Sequence, residues 1–185
     1  MTGFVAQKSV ERPVHLTSSC SADERWNMHA EAGAVTRIQL RNAQPDDLSA
    51  MHAIRRAAIL GIAPVSDANA HQAWADSRSS DFYAERVAAG DAIIASLAGD
   101  DVGWGSSTAN RITAVYVRSS SSHFGVGRIL MSALEDAIHA RGHGCATLES
   151  SPNALGFYAK LGYAETGVPL ADGAVPMARR LGPSE

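Results

Sequence analysis

The sequence predicts an α/β domain built on one mixed sheet. Three observations carry this. Segments with helical apolar spacing alternate with short β-branched runs from Thr36 onward. Two runs, Ala92–Leu97 and Val102–Thr108, flank Gly99-Asp100-Asp101, which is turn chemistry for a hairpin. A strand, a loop, a helix and another strand then follow between Arg111 and Glu149. The 185 residues suffice for one sizeable core and are short for two.

Taken in order, residues 1–34 show no sustained period and are rich in small and polar residues, so they are expected to form a flexible tail before a domain at 35–182. A chain begun at Met28 is expected to keep that domain intact. Ile38 and Leu40 alternate with polar neighbours, as in a half-buried strand. Pro45 with Asp46 and Asp47 suits a helix start, and Leu48, Met51, Ile54 and Ala58 continue it as one stripe to Leu60. Shorter helices are expected over Ala68–Ala75, with Trp74 packed inward, and over Phe82–Ala89. The hairpin comes next, then a strand at Arg111–Val117. Val126, Leu130, Ala133, Leu134, Ala137 and Ile138 line a helix over Val126–Ala140 that Gly142 ends. Cys145–Glu149 reads as a strand and Asn153–Leu161 as a helix, and Tyr163–Leu181 has room for two more strands.

Composition narrows the function. With 45% hydrophobic and 19% charged residues the chain is an ordinary globular protein, and a net charge of −3 offers no basic field for nucleic acid. The doublets Arg55-Arg56 and Arg179-Arg180 read as solvated surface. Cys20 and Cys145 have neither metal-ligand nor redox spacing, and His139, His143 and Cys145 are separated by glycines that break a common face, so no metal is expected. No run of 18 apolar residues stands in the chain and no signal-peptide pattern opens it, so the expected location is cytoplasmic, away from the membrane.

The chemistry concentrates in Val115-Tyr116-Val117, the loop Arg118–Phe124, and Gly125-Val126-Gly127-Arg128 opening a helix. Glycines admit a ligand close to the backbone, and a helix's first turn presents free N–H groups to an anion. This segment is either a pyrophosphate cradle or a plain glycine turn before a core helix. A dinucleotide fold is disfavoured on three counts. The third glycine of its fingerprint falls on Leu130, seven residues separate strand from glycine, and only one βαβ unit fits before the end, although Glu149 stands near the place of a ribose-binding acid. Ser119–Ser122 beside His123 lacks a nucleophile elbow, so serine catalysis finds no support.

Val115-Tyr116-Val117, the glycine turn, and the stretch from Asn153 through Phe157-Tyr158 to Leu161-Gly162-Tyr163 resemble the two central motifs of the GNAT acetyltransferases. In that family a strand ending "LxV" precedes a "Q/R-x-x-G-x-G/A" loop, and a later helix carries Asn, Tyr and a Gly-Phe end. The likeness spans roughly Thr36 to Leu181. It implies a mixed, mostly antiparallel central sheet flanked by helices, with acetyl-CoA as cosubstrate. It implies that backbone groups of Val115, Tyr116 and Val117 hold the pantetheine. Ser122, His123, Phe124, Gly125, Val126, Gly127 and Arg128 would take the pyrophosphate. Asn153 would bond the cofactor, and Tyr158 would protonate the departing sulfur. Ser122 departs from the family pattern, because it stands where the family has Gln or Arg and brings no charge to a phosphate.

Each residue has a plainer reading beside it. Tyr158 could be a core aromatic, and Asn153 a helix N-cap after Pro152. Glu149 is the best carboxylate for a general base, and equally a surface strand end held in a salt bridge. His52 and His71 lie on the helices that cover the acceptor in the family. Trp74, Tyr116 and the scarcity of carboxylates there point to a small-molecule amine, attacking acetyl-CoA directly in a ternary complex. A non-catalytic CoA-binding module of the same fold is the alternative. A homodimer is compatible with the sequence, which does not determine the oligomeric state.

Overall fold

The computed structural model describes residues 37–62 and 68–182. The expected tail at 1–34, with Met28 and Cys20, lies outside the described residues. Strand β1 (Ile38–Asn42) leads through a 3-10 turn at Pro45–Asp47 into α1 (Leu48–Leu60), followed by α2 (Ala68–Ala75) and α3 (Ser80–Ala88). The hairpin is β2 (Ala92–Leu97) and β3 (Asp100–Thr108), and β4 (Arg111–Val117) follows. A second 3-10 turn, Ser119–Phe124, replaces the expected loop and buries Ser121 before α4 (Val126–Ala140). The chain ends with β5 (Cys145–Ser150), a 3-10 turn at Pro152–Ala154, α5 (Leu155–Lys160), the two-residue β6 (Ala164–Glu165) and β7 (Val175–Arg180). These form one seven-stranded sheet in the order β1-β2-β3-β4-β5-β7-β6, antiparallel throughout except for β4 beside β5.

Helices cover both faces, and β3 shows how. Successive strand residues point to opposite faces. Trp104 points toward α1 and donates its Nε1–H to the Met51 carbonyl at 2.9 Å. Its neighbours Gly103 and Gly105 face α4: a Cβ on Gly105 would stand 2.9 Å from Leu134 Cδ1, and one on Gly103 3.0 Å from Val126 Cγ1. The missing side chains let α4 sit directly on the strand. Val126, Leu130, Met131, Leu134 and Ile138 of α4 are buried there, the stripe that the helical period predicts. On the other face Met51, Ile54, Tyr83, Ile94 and Trp104 form a separate core beneath α1 and α3.

Three expectations are corrected. Arg55 is not solvated: it is 1% exposed, and its guanidinium donates to the carbonyls of Ala75 at 2.5 Å and Trp74 at 3.0 Å and to Ser77 Oγ at 3.1 Å. Those carbonyls end α2, so a buried cation caps the negative pole of a helix. Arg56 pairs with Asp76 at the surface, as expected. Trp74 does not pack inward and remains 41% exposed, because the inward face of α2 is His71 and Ala75, one turn apart. The His71 ring meets the Ile59 carbonyl at 2.7 Å and stacks on Trp74. Strand β1 forms where expected, yet Leu40 is exposed, because β1 is an edge strand.

The acidic start of α1 works as a clamp. Arg41 holds Asp47 with two hydrogen bonds, 2.6 and 2.8 Å, and reaches Asp101 at 2.8 Å, while the Gln44 N–H donates to Asp47 at 2.7 Å. The Arg41 hydrogen bond, assisted by the Gln44 amide, holds the Asp47 carboxyl below its ordinary range, against the pull of burial. A depressed folded-state value means that the stabilisation is present above the ordinary carboxylate range and is lost as pH falls through the folded one. Asp47→Asn is expected to lower stability by about 1 kcal/mol at neutral pH, a modest figure because Arg41 is half-exposed. Urea denaturation checks this: the gap between wild type and variant must close in acid.

Candidate active site

Strands β4 and β5 run parallel but share a single registered pair, Arg111 with Thr147, closed by the Thr147 N–H on the Asn110 carbonyl at 2.9 Å. Each is paired along its outer edge, β4 to β3 as far as Val117 and β5 to β7 as far as Ser150. Beyond Arg111 the two therefore part, and their facing edges form a wedge. Hydrogen-bond alternation says which residues face it. The Arg118 N–H donates to the Val102 carbonyl at 2.8 Å, so Arg118 and Tyr116 turn their main-chain groups toward β3. Those of Val115 and Val117 point the other way, into the wedge. Backbone polar groups need partners, and here none is a strand among the described residues.

The side chains divide in the same way. Val115 and Val117 pack on the α4 side, whereas Tyr116 lies on the α1 side against Trp104, ring centres 5.2 Å apart. A bulge in the β3–β4 pairing near Ser106-Ser107 puts Ile112 on the α4 side and Ala114 with Tyr116 on the other.

At the mouth of the wedge Gly125 has φ +79°, with open space where a Cβ would be. This left-handed residue ends the 3-10 turn and starts α4, and glycine adopts the conformation without strain. The first bond of α4 runs from the Ile129 N–H to the Gly125 carbonyl at 3.1 Å. The amides of Val126, Gly127 and Arg128 are therefore the free donors of a helix N-terminus. Ser122 is exposed and its hydroxyl donates to the Ser119 carbonyl at 2.9 Å, so it is already engaged. His123, Phe124 and Arg128 are exposed around it. Gly127 has a packing role as well, since a Cβ there would stand 3.2 Å from the Phe157 ring.

Tyr158 lies on α5 with its ring edge-on to Phe157 and Tyr163, and its hydroxyl makes no hydrogen bond among the described residues. Burial, with a smaller contribution from the Tyr116 phenol, pushes its pKa up to about 12. Asn153 sits exposed inside the 3-10 turn. It caps neither helical segment, because Ser151 and Ala154 hold those positions. Glu149, one residue before the end of β5, lies on the face opposite α4 and pairs with Arg111 at 2.7 Å. Tyr163, the last residue of the second motif, is structural: its hydroxyl donates to Glu135 at 2.9 Å, and Arg179 holds the other oxygen at 2.8 Å. Arg179 is thus a second doublet residue engaged by a carboxylate. Sequence reasoning missed Arg55, Tyr83 and Arg86, which gather near Tyr116. The only signal was the density of arginines and aromatics between Arg78 and Arg86. Among the described residues no group of His, Cys, Asp and Glu has the proximity to hold a metal, and no helix is long and apolar enough to cross a membrane.

A mixed sheet flanked by helices, here split at its parallel pair with a glycine-opened helix over the split, fits the arrangement that the resemblance to the GNAT acetyltransferases implies. The family model "Acetyltransferase (GNAT) domain" matches residues 62–179. The chain belongs to the GNAT acetyltransferase family and is an acyltransferase. It is similar, at 30% identity and TM-score 0.69, to a Rhodopseudomonas palustris structure described as a GCN5-related N-acetyltransferase and also as a class-II aminotransferase; 81% of this chain and 100% of that one are covered. Two more distant structures share the fold. One is the PaiA N-acetyltransferase of Thermoplasma acidophilum with coenzyme A, at 16% identity and TM-score 0.66, covering 78% of this chain and 99% of that one. The other is the acetyltransferase YncA of Salmonella typhimurium with acetyl-CoA, at 19% identity and TM-score 0.55, covering 81% and 97%. No curated protein matches the sequence.

Proposed function

We propose that this protein transfers an acetyl group from acetyl-CoA to a primary amine of a small-molecule acceptor in the cytoplasm, by direct attack within a ternary complex. The observation that carries the reading is the wedge, where the main-chain groups of Val115 and Val117 lack a strand partner among the described residues, beside the free amides of Val126, Gly127 and Arg128. An extended pantetheine supplies amides that complete the β4 edge, and a pyrophosphate supplies the anion that the α4 terminus attracts. An N–H at the wedge edge is the donor for the thioester oxygen, and its value rises in a dry cleft.

The residues around the wedge take their roles from this placement. With Ser122 engaged by Ser119, the phosphates rest on backbone amides, supported by His123 and Arg128. Phe124 and Tyr116 supply apolar walls, and Asn153, free of any cap, offers its amide to the cosubstrate. Tyr158 keeps its proton at working pH and gives it to the departing thiolate. Glu149 serves as the general base, taking the amine proton on leaving Arg111. The deciding experiment titrates the protein with acetyl-CoA by calorimetry and then follows thiol release over a panel of primary amines. Micromolar binding with amine-dependent release is expected. Binding with no release on any amine would leave the non-catalytic module in its place.

A further inference from the structure

Four buried side-chain polar atoms lack a hydrogen-bond partner among the described residues: Arg55 Nε, Tyr83 Oη, Arg86 Nε and His139 Nδ1. Three of the four share one neighbourhood on the α1–α3 face. The Arg55 guanidinium lies 5.6 Å from the centre of the Tyr116 ring. The Arg86 guanidinium lies 3.6 Å over Phe82, whose ring is 5.1 Å from that of Tyr83. Arg78 covers Phe82 as well, at 4.8 Å. None of Arg55, Arg78 and Arg86 forms an ion pair among the described residues, while Arg41, Arg56, Arg111, Arg141 and Arg179 all do.

Native proteins rarely leave buried polar atoms unpaired, because each gives up its solvation without a partner in return. All three here can donate, and two belong to cations. The end of α2 answers Arg55 on its two terminal nitrogens, and the Tyr83 phenol oxygen stands against the guanidinium, so the two present one polar edge. Water would satisfy the phenol but would bring no counter-ion to Arg55, whereas Arg86 has the Glu85 and Asp91 carboxylates nearby. The arginines also grade inward, from exposed Arg78 through half-buried Arg86 to buried Arg55. Such a gradient draws an anion toward Tyr116, whose neighbours Val115 and Val117 face the wedge.

We infer that this neighbourhood is the anion-binding half of the acceptor site, and that the acceptor is an amine bearing a carboxylate, an amino acid or a close relative of one. The carboxylate bonds Arg55 Nε and the Tyr83 hydroxyl, its charge is answered by Arg86, and the carbon skeleton lies between Phe82 and Tyr116. The inference rests on the acetyl-transfer reading, since it names the acceptor of that reaction.

The test compares matched pairs that differ only in the carboxylate: phenylalanine with phenethylamine, lysine with cadaverine, alanine with ethylamine. Acetyl transfer gives kcat/KM for each, and calorimetry without acetyl-CoA gives the affinity of the corresponding N-acetyl products. At least one pair is expected to favour the carboxylate member by about 10- to 100-fold, as for charge-assisted hydrogen bonds. In Tyr83→Phe, which removes one hydroxyl and keeps the ring, and in Arg86→Gln, which removes the charge together with the guanidinium's stack on Phe82 and its bond to the Phe82 carbonyl, that ratio is expected to fall toward one through KM. Arg55→Gln also uncaps α2, so the two milder variants carry the test if it fails to fold. No preference for the carboxylate member in any pair, by turnover or by product binding, overturns the inference, as does a ratio unchanged in both variants. A separate acetyl-CoA titration shows whether the underlying reading has failed instead.

Discussion

Gly127→Glu is expected to weaken acetyl-CoA binding about 100- to 1000-fold while the fold persists. A carboxylate about 4 Å from a phosphate charge costs about 4 kcal/mol at an effective dielectric near 20, which sets that scale. The same carboxylate is welcome to the helix itself, because the first turn of α4 is the positive end of its dipole. Stability and affinity should therefore respond in opposite directions. The packing cost is confined to Phe157, 3.2 Å from the new Cβ and 37% exposed, so the ring has room to turn outward. Gly127→Gln separates bulk from charge and should lose less affinity, with little dependence on salt. Thermal melting and acetyl-CoA calorimetry at two ionic strengths read all of this. Unchanged affinity in Gly127→Glu would remove the α4 terminus from the site.

Where the fold was legible, local physics sufficed. Helix α4 begins at Val126 and ends at Ala140 as its period predicts, because a strong apolar stripe between Gly125 and Gly142 leaves few alternatives. The hairpin was equally plain from its turn. Pairing register was not, since nothing local says that β4 and β5 share only one rung. The resemblance implied only that the Val115–Val117 backbone holds the pantetheine, and the wedge came into view only with the β4–β5 pairing and the Arg118–Val102 bond. Burial was misjudged where distant segments decide it. Arg55 looks like a surface cation until α2 delivers two carbonyls from about 20 positions later in the chain. Trp74 looks like core until His71 and Ala75 take the inward face of a helix only two turns long. The unpaired donors beside Phe82 were signalled only by the density of arginines and aromatics around them, because an unsatisfied atom is a property of three-dimensional neighbours.

Tyr158→Phe is expected to lower kcat by about 10²–10⁴-fold, the span of a positioned general acid, with the acetyl-CoA dissociation constant nearly unchanged. The hydroxyl has no hydrogen bond to lose among the described residues, and the ring keeps its contacts with Phe157 and Tyr163. Burial pushes the phenol up to about 12, so it remains the proton-bearing form across the working range. The same dry surroundings disfavour a thiolate, and both anions are penalised together, so the proton transfer keeps a workable balance. An acyl donor with a better leaving group should be less sensitive to the substitution. The sign of the linkage gives an independent check. A phenol raised above its ordinary value of 10.0 contributes stability that is present below that value and is lost as pH rises through about 12. Alkaline unfolding should therefore be less steep in the phenylalanine variant, whatever happens to turnover. A core tyrosine with no part in the chemistry would show that alkaline difference with turnover intact, and little loss of stability at neutral pH because no hydrogen bond is removed. A normal kcat for Tyr158→Phe on any accepted amine removes this residue from the reaction.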